Sequence, residues 1–302
     1  MTSIIKDVRQ LSRGWRWSHR PLPPRSAEPH HTFPEPSEFP TDWARSRPAR
    51  AAREAILRGG LAPIVRNQTT LQVEGLDVFE ALDGPVIFVA NHSSHLDTAL
   101  LLTTLPVEWQ RKVAVGAAAD YFFDAWWRAV GSALVFSTFP IERGGVGLSD
   151  TPTRLLAEGW SLVMFPEGTR SPDGWTRRFR LGAAYLAHAA GVPVVPVGLV
   201  GSFAAMPRGR SWPKPGRPEV HVRYGRALTV QPGEDARSFG TRVAAATATL
   251  LDEDRSDWYA ARRRAAAGET PPPSGPQVAP WRRVWASTAS PRSSASRAKA
   301  WR

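Results

Sequence analysis

Short apolar runs alternate with stretches of helical spacing through most of this 302-residue chain. The runs at 85–90, 112–116, 134–141, 161–165, 193–200 and 219–224 predict strands. Between them, 49–59, 94–104, 119–130, 150–158, 179–190 and 236–252 place apolar residues at helical spacing and predict helices. Strands separated by helices imply βαβ units and a largely parallel sheet. The last run, from Glu219 through His221 and Arg223 to Tyr224, alternates polar and apolar strictly. It predicts an antiparallel edge strand with one solvated face. The expected fold class is α/β: a largely parallel central sheet with an antiparallel edge strand, flanked by helices, with disordered basic tails.

The ends of the chain break this pattern. Residues 1–50 carry Pro21, Pro23, Pro24, Pro29, Pro34, Pro36, Pro40 and Pro48, which remove backbone donors and disfavour helix. Residues 256–302 pass from Ala/Arg-rich helix into a Pro/Ser/Arg-rich tail, too poor in aliphatics to pack. One domain over 51–255 between two basic tails is therefore expected.

Composition narrows the function. The most apolar stretch, 113–141, is interrupted by Asp120, Asp124 and Arg128, so no membrane-spanning helix is expected. The N-terminal residues lack the apolar core of an export signal, and a cytoplasmic protein is expected. With no cysteine, disulfides, thiolate catalysis and cysteine metal ligands are excluded. The net charge of +12 rests on arginine, with lysine only at Lys6, Lys112, Lys214 and Lys299. Anionic lipid or nucleic acid suits such a balance, and so does a coding bias towards G and C.

Two blocks carry the candidate chemistry. Residues 91–97 read Asn-His-Ser-Ser-His-Leu-Asp and residues 165–171 read Phe-Pro-Glu-Gly-Thr-Arg-Ser, each directly after an apolar run. In a parallel sheet the ligand crevice lies beyond the carboxyl ends of the strands. His92, Arg143 and the 165–171 loop would then converge on one rim. A neutral His92 can take a proton from a hydroxyl. Inside one helix, His92 and Asp97 would stand roughly 140° apart, so they pair only if His92 lies in the turn and Asp97 in the first helical turn. Ser93 and Ser94 are good caps for a helix starting there. A second reading makes Asp97 the acid of a Ser94-x-x-Asp97 capping box. His95 and His92 have metal-ligand spacing, but no third ligand completes a site.

In the second block, Gly168 permits a tight loop whose amides approach an anion, and Arg170 offers a planar fork for phosphate. Glu167 could orient Arg170 or accept a hydrogen bond from a substrate hydroxyl. The bland alternative is a surface turn with a solvated Glu–Arg pair. Arg143 precedes Gly144 and Gly145, and Arg177, Arg178 and Arg180 extend the basic rim. No G-x-S-x-G elbow or Walker loop is present.

The order Asn-His-x-x-x-x-Asp at 91–97, Phe-Pro-Ile-Glu-Arg at 139–143, Phe-Pro-Glu-Gly-Thr-Arg-Ser at 165–171 and Val-Pro-Val-Val-Pro-Val at 192–197 closely resembles the glycerolipid acyltransferase family. The resemblance covers about residues 55–230. It implies that a fatty acyl group moves from acyl-CoA or acyl-carrier protein to the hydroxyl of 1-acylglycerol-3-phosphate, giving phosphatidate. It implies His92 as base with Asp97 as its partner. Arg143, Glu167, Gly168, Thr169 and Arg170 would bind a lysophosphatidate-like acceptor. Pro193 and Pro196 fall in a block associated with acyl-donor binding or local structure, and Arg180 falls where a basic residue is usual. The donor is a substrate, and neither cofactor nor metal is implied.

Family members often carry an apolar N-terminal segment that contacts the bilayer, whereas residues 1–50 here are polar and proline-rich. Peripheral contact with the inner face of an anionic membrane must then come from elsewhere. Arg13 to Trp17 and Trp281 to Trp285 interleave aromatics with cations, which suits such an interface and also single-stranded nucleic acid, the disfavoured partner. Phe122, Phe123, Trp126, Trp127 and Val130 form a stripe at helical spacing that reads as a buried face or an acyl-chain groove.

Overall fold

The computed structural model describes residues 41–118, 126–141 and 150–288. Seven strands form one sheet: β1 (Thr70–Glu74), β2 (Ile87–Ala90), β3 (Val113–Ala118), β4 (Thr138–Ile141), β5 (Ser161–Met164), β6 (Val194–Val200) and β7 (Glu219–Tyr224). Their order across the sheet is β1-β7-β6-β2-β5-β3-β4. Every pairing is parallel except that of β6 with β7. The α/β class, the largely parallel sheet and the flanking helices stand as expected.

β7 is antiparallel to β6, but it is not the edge. β1, which the apolar pattern did not reveal, pairs outside it. Its sequence, Thr-Leu-Gln-Val-Glu, has too little apolar character to mark a strand. Nor is one face of β7 solvated, because His221 and Arg223 are buried. Arg223 Nε lies 3.0 Å from Glu74 Oε2 on β1, and its Nη1 lies 2.9 Å from Asp254 Oδ1. The polar alternation therefore marks charges paired under cover rather than contact with water.

The expected strand at 134–141 is shorter. A helix, Trp126–Phe136, runs through its first half, and β4 begins at Thr138 after Ser137, whose φ is +53°. Periodicity alone does not separate short apolar helix from strand. Phe122 and Phe123 of the aromatic stripe lie outside the described residues.

Alternation along the central strands fills both faces of the sheet. Phe88 and Ala90 point into a core shared with Leu100, Leu101, Val163 and Val195. Ile87 and Val89 point the other way, towards Leu162, Ala187, Phe239 and Val243. Burying each large side chain contributes about 1.5–3 kcal/mol, so a shift of one residue in β2 would be prohibitive. That register sets where His92 leaves the sheet.

Three helices start or lie within the segments read as tails: Arg47–Ile56 overlaps the helix expected at 49–59, Trp258–Ala267 is the expected Ala/Arg-rich helix, and Pro280–Thr288 was not expected. Arg47–Ile56 is capped by Ser46, whose Oγ accepts the Ala49 amide. Arg53, only 2% exposed, donates to the Ala133 and Leu134 carbonyls at the end of the Trp126–Phe136 helix. Near the C-terminus, Trp258–Ala267 and Pro280–Thr288 are helices. They are tied by Arg264 to Asp252 and by Arg283 to Asp173. Polar anchors of this kind leave no mark in aliphatic content. Among the described residues, no helix is long and apolar enough to cross a membrane.

Candidate active site

β2 ends where Asn91 replaces the backbone ladder with its side chain. Its Nδ2 donates to the Leu199 carbonyl and its Oδ1 accepts the Leu199 amide, both at 2.8 Å, clamping β2 to β6. The chain then leaves the sheet through residues 92–95 and enters the Leu96–Thr104 helix. Asp97, in the first turn, is fully buried. Its Oδ2 accepts the Ser93 amide at 2.7 Å and the Ser94 amide at 2.8 Å, and lies 2.9 Å from His92 Nδ1. One Asp97 oxygen thus reaches back to two amides before the helix and to the histidine ring.

Oδ2 already accepts two amides, and in the tautomer in which Nδ1 donates to it, Nε2 keeps its lone pair. The ring stacks on Phe165 with centroids 4.1 Å apart, and 18% of the His92 side chain remains exposed. A substrate can reach it.

β5, the parallel neighbour of β2, ends in the second block. The Gly168 amide donates to the Phe165 carbonyl at 3.0 Å, and Gly168 takes a φ of +71°. Glu167 turns inward and is 4% exposed. Its Oε1 accepts the His92 amide at 2.6 Å and its Oε2 accepts the Arg177 amide at 2.7 Å. The Ser171 amide donates to the His92 carbonyl at 2.8 Å. Both backbone groups of His92 are thus held by the second block.

Burial pushes the Glu167 carboxyl up to about 8. The Arg177 and His92 amides pull it back, and the Asp97 charge adds to the rise. His95 is pushed down to about 4, first by burial and then by the charge of Arg170. It stays neutral at pH 7 and adds no cation to the arginine rim. Arg180 closes over the turn: its Cζ and Nε would lie 3.1 Å from a Cβ placed on Gly168. The Arg180 amide donates to the Pro166 carbonyl at 2.9 Å.

The structure brings His92, Asp97, Glu167, Gly168, Thr169 and Arg170 to adjacent strand ends. Arg143 lies outside the described residues. Both Glu167 oxygens accept backbone amides. Pro193 and Pro196 act through their carbonyls, which accept the Ile87 and Gly225 amides. Sequence reasoning missed Ser202, whose Oγ lies 3.0 Å from Ser93 Oγ, and it assigned no role to Asn91 or Ser171. The last two at least stand inside the two blocks; Ser202, 109 residues from Ser93, had no signal. Among the described residues, no three His, Asp or Glu side chains gather as a metal site.

A His–Asp pair beside a Glu-Gly-Thr-Arg turn, at the carboxyl ends of adjacent parallel strands, has counterparts. Residues 65–200, which hold both blocks, match the family model described as Acyltransferase. Among curated proteins, the chain is similar to 1-acyl-sn-glycerol-3-phosphate acyltransferase BAT2 of Brassica napus. The two are 32% identical over 142 residues, covering 45% of this chain and 39% of that protein. A Chlamydomonas reinhardtii 1-acyl-sn-glycerol-3-phosphate acyltransferase is 32% identical over 168 residues, 55% of this chain and 48% of its own length. The chain thus spans less than half the length of these relatives. In fold it is similar to the crystal structure of the 1-acyl-sn-glycerophosphate acyltransferase PlsC from Thermotoga maritima. The TM-score is 0.54 at 22% identity, covering 72% of this chain and 88% of that one.

Proposed function

We propose that this protein transfers a fatty acyl group from a thioester to the free hydroxyl of 1-acylglycerol-3-phosphate, giving phosphatidate. The observation that carries this is the His92–Asp97 pair, held through the His92 backbone by the loop that bears Arg170. His92 Nε2 takes the hydroxyl proton as the oxygen attacks the thioester carbonyl. The carbon–sulfur bond then breaks, the acyl group stays on the acceptor oxygen, and the thiolate leaves and recovers the proton from the imidazolium. The Nδ1–H bond to Asp97 keeps the ring in one tautomer and stabilises the charge that forms on it. Direct transfer suits the site, which uses no cysteine or activated serine as a covalent carrier.

Arg170 and Arg180, with Arg143 as the resemblance implies, would hold the acceptor phosphate. This converts an encounter between dilute groups into one between oriented ones. The donor is acyl-CoA or acyl-carrier protein, and the enzyme works at the inner face of the membrane, where its lipid acceptor resides. Similarity to named 1-acyl-sn-glycerol-3-phosphate acyltransferases supports the choice of acceptor.

Purified protein, supplied in turn with labelled acyl-CoA and acyl-carrier protein, tests the proposal. Lysophosphatidate should be acylated at least about tenfold more efficiently than monoacylglycerol, because a charge-assisted guanidinium–phosphate contact contributes about 1.5–3 kcal/mol. Preference for the phosphate-free lipid would overturn the acceptor, and the absence of transfer from either thioester would overturn the activity.

A further inference from the structure

The Pro280–Thr288 helix has two unlike faces. Its inner face is polar and bound to the catalytic loop. Arg283 Nε reaches Asp173 Oδ2 at 2.6 Å, Ser287 Oγ donates to the Asp173 carbonyl at 2.7 Å, and Trp175 Nε1 donates to the Arg283 carbonyl at 2.8 Å. Asp173 in turn accepts a hydrogen bond from Ser171 Oγ at 3.1 Å, and the Ser171 amide holds the His92 carbonyl. Burial would raise the Asp173 carboxyl, but Arg283, the Trp175 amide and Ser171 outweigh it and hold it below the usual range. Gly174 lets the helix sit this close, since a Cβ there would fall 2.7 Å from Ser287 Oγ.

The outer face is the reverse. Trp281 is 69% exposed and Trp285 71%, one helical turn apart, with Val284 beside them and Arg282 lying 5.4 Å from the Trp281 ring centroid. From residue 280 to the end the sequence adds Arg292, Arg297, Lys299 and Arg302 and contains no acid. Exposed indoles with interleaved guanidinium groups match an interface that is apolar beneath and anionic above. A polar inner face and aromatic outer face also mean that the helix is not waiting to fold onto its own core.

We propose that the Pro280–Thr288 helix docks on an anionic lipid surface and, through Arg283 and Asp173, holds the catalytic loop at that surface. The docking half stands on the exposed face alone. The coupling half rests on the acyltransferase reading.

The full-length protein is sedimented with vesicles of phosphatidylcholine and with vesicles of phosphatidylcholine and phosphatidylglycerol in equal parts. It should bind the mixed vesicles, less so as salt is raised. Trp281→Ala with Trp285→Ala should weaken that binding about tenfold or more and leave the fold intact, since both side chains are exposed. Arg283→Gln should keep the vesicle binding but lose the rate gain that mixed vesicles give to acyl transfer. A double tryptophan variant that binds like the parent overturns the docking surface, as does a parent protein that binds oligonucleotides but not vesicles. If Arg283→Gln keeps the full rate gain, the coupling is overturned while docking stands. Tryptophan-dependent vesicle binding by a protein that acylates no acceptor would overturn the enzymatic reading and the coupling with it, and leave docking in place.

Discussion

Glu167 Oε1 accepts the backbone amide of His92 at 2.6 Å, across 75 residues of sequence. A residue of the Phe165–Ser171 loop thereby fixes the main chain of the candidate base rather than its ring. Its second oxygen fixes Arg177, so one buried carboxyl sets the spacing between the base and the arginine rim.

Glu167→Gln tests that relationship. An amide has one accepting oxygen, so its NH2 group must face either the His92 or the Arg177 N–H. One bond is lost and two donors oppose each other, at a cost of about 1–3 kcal/mol. Turnover should fall about tenfold or more with little change in donor KM. Steady-state kinetics on a folded variant checks this, and a near-native kcat would remove Glu167 from any positioning role.

The raised Glu167 carboxyl also sets a pH dependence. Between 4.5, its ordinary value, and about 8, the folded chain keeps a proton that the unfolded chain has released. Stability from this group is therefore fully present below 4.5 and is lost as pH rises through about 8. Thermal unfolding of the parent should show a Tm contribution that declines over this window, and Glu167→Gln should flatten it. Equal slopes in the two proteins would contradict the assignment.

At His92 and Asp97, three substitutions separate chemistry from capping. His92→Ala should lower turnover by roughly 10²–10⁴-fold without unfolding the chain. Asp97→Asn keeps an accepting oxygen for the Ser93 and Ser94 amides and for His92 Nδ1, so it should fold but turn over slowly. Asp97→Ala strands three donors in a buried site and should lose about 2–4 kcal/mol of stability. Denaturant titration beside kcat distinguishes these outcomes; a fully active Asp97→Asn would leave Asp97 only as a cap.

Gly168 has a φ of +71°, and a side chain there would press on Arg180. Gly168→Ala should cost about 1–3 kcal/mol from the backbone alone. Displacing the guanidinium should also raise the acceptor KM more than the donor KM. Arg170→Ala and Arg180→Ala should show the same bias, and Arg170→Lys should rescue only in part because an ammonium lacks the planar fork. Equal effects on phosphorylated and phosphate-free acceptors would count against a phosphate site.

Far from this rim, Arg53 serves stability alone. Burial lowers its guanidinium to about 10, with Arg45 and Arg50 adding to the shift. It donates to the carbonyls of Ala44, Ala133 and Leu134. Arg53→Met should therefore cost about 2–4 kcal/mol in chemical denaturation. Specific activity of the folded fraction should be unchanged, and a loss of activity without loss of stability would point to a different role.

Much of the site was legible because its signals are local. An apolar run followed at once by Asn91 to Asp97, and another followed by Phe165 to Ser171, mark strand ends that carry polar chemistry. Continuous apolar runs separated by helical stretches require both faces of the sheet to be covered, which is why the α/β class followed from pattern alone. The weak cases are equally local in cause. β1 alternates as β7 does but over only two apolar residues, Leu71 and Val73, and Leu134 to Phe136 suit a helix as well as a strand.

What the sequence by itself determined is most of the strands, the order of the blocks and the closeness of His92 to Asp97 along the chain. These depend on residues within a few positions of one another. Tertiary structure alone decided that Glu167 faces the backbone, that Ser202 meets Ser93, that β1 covers β7, and that Arg283 reaches Asp173. Each joins groups separated by 75 residues or more. Such a bond forms only when the packed sheet brings two distant polar atoms into a site too dry to leave either unpaired. No periodicity in the chain records that requirement.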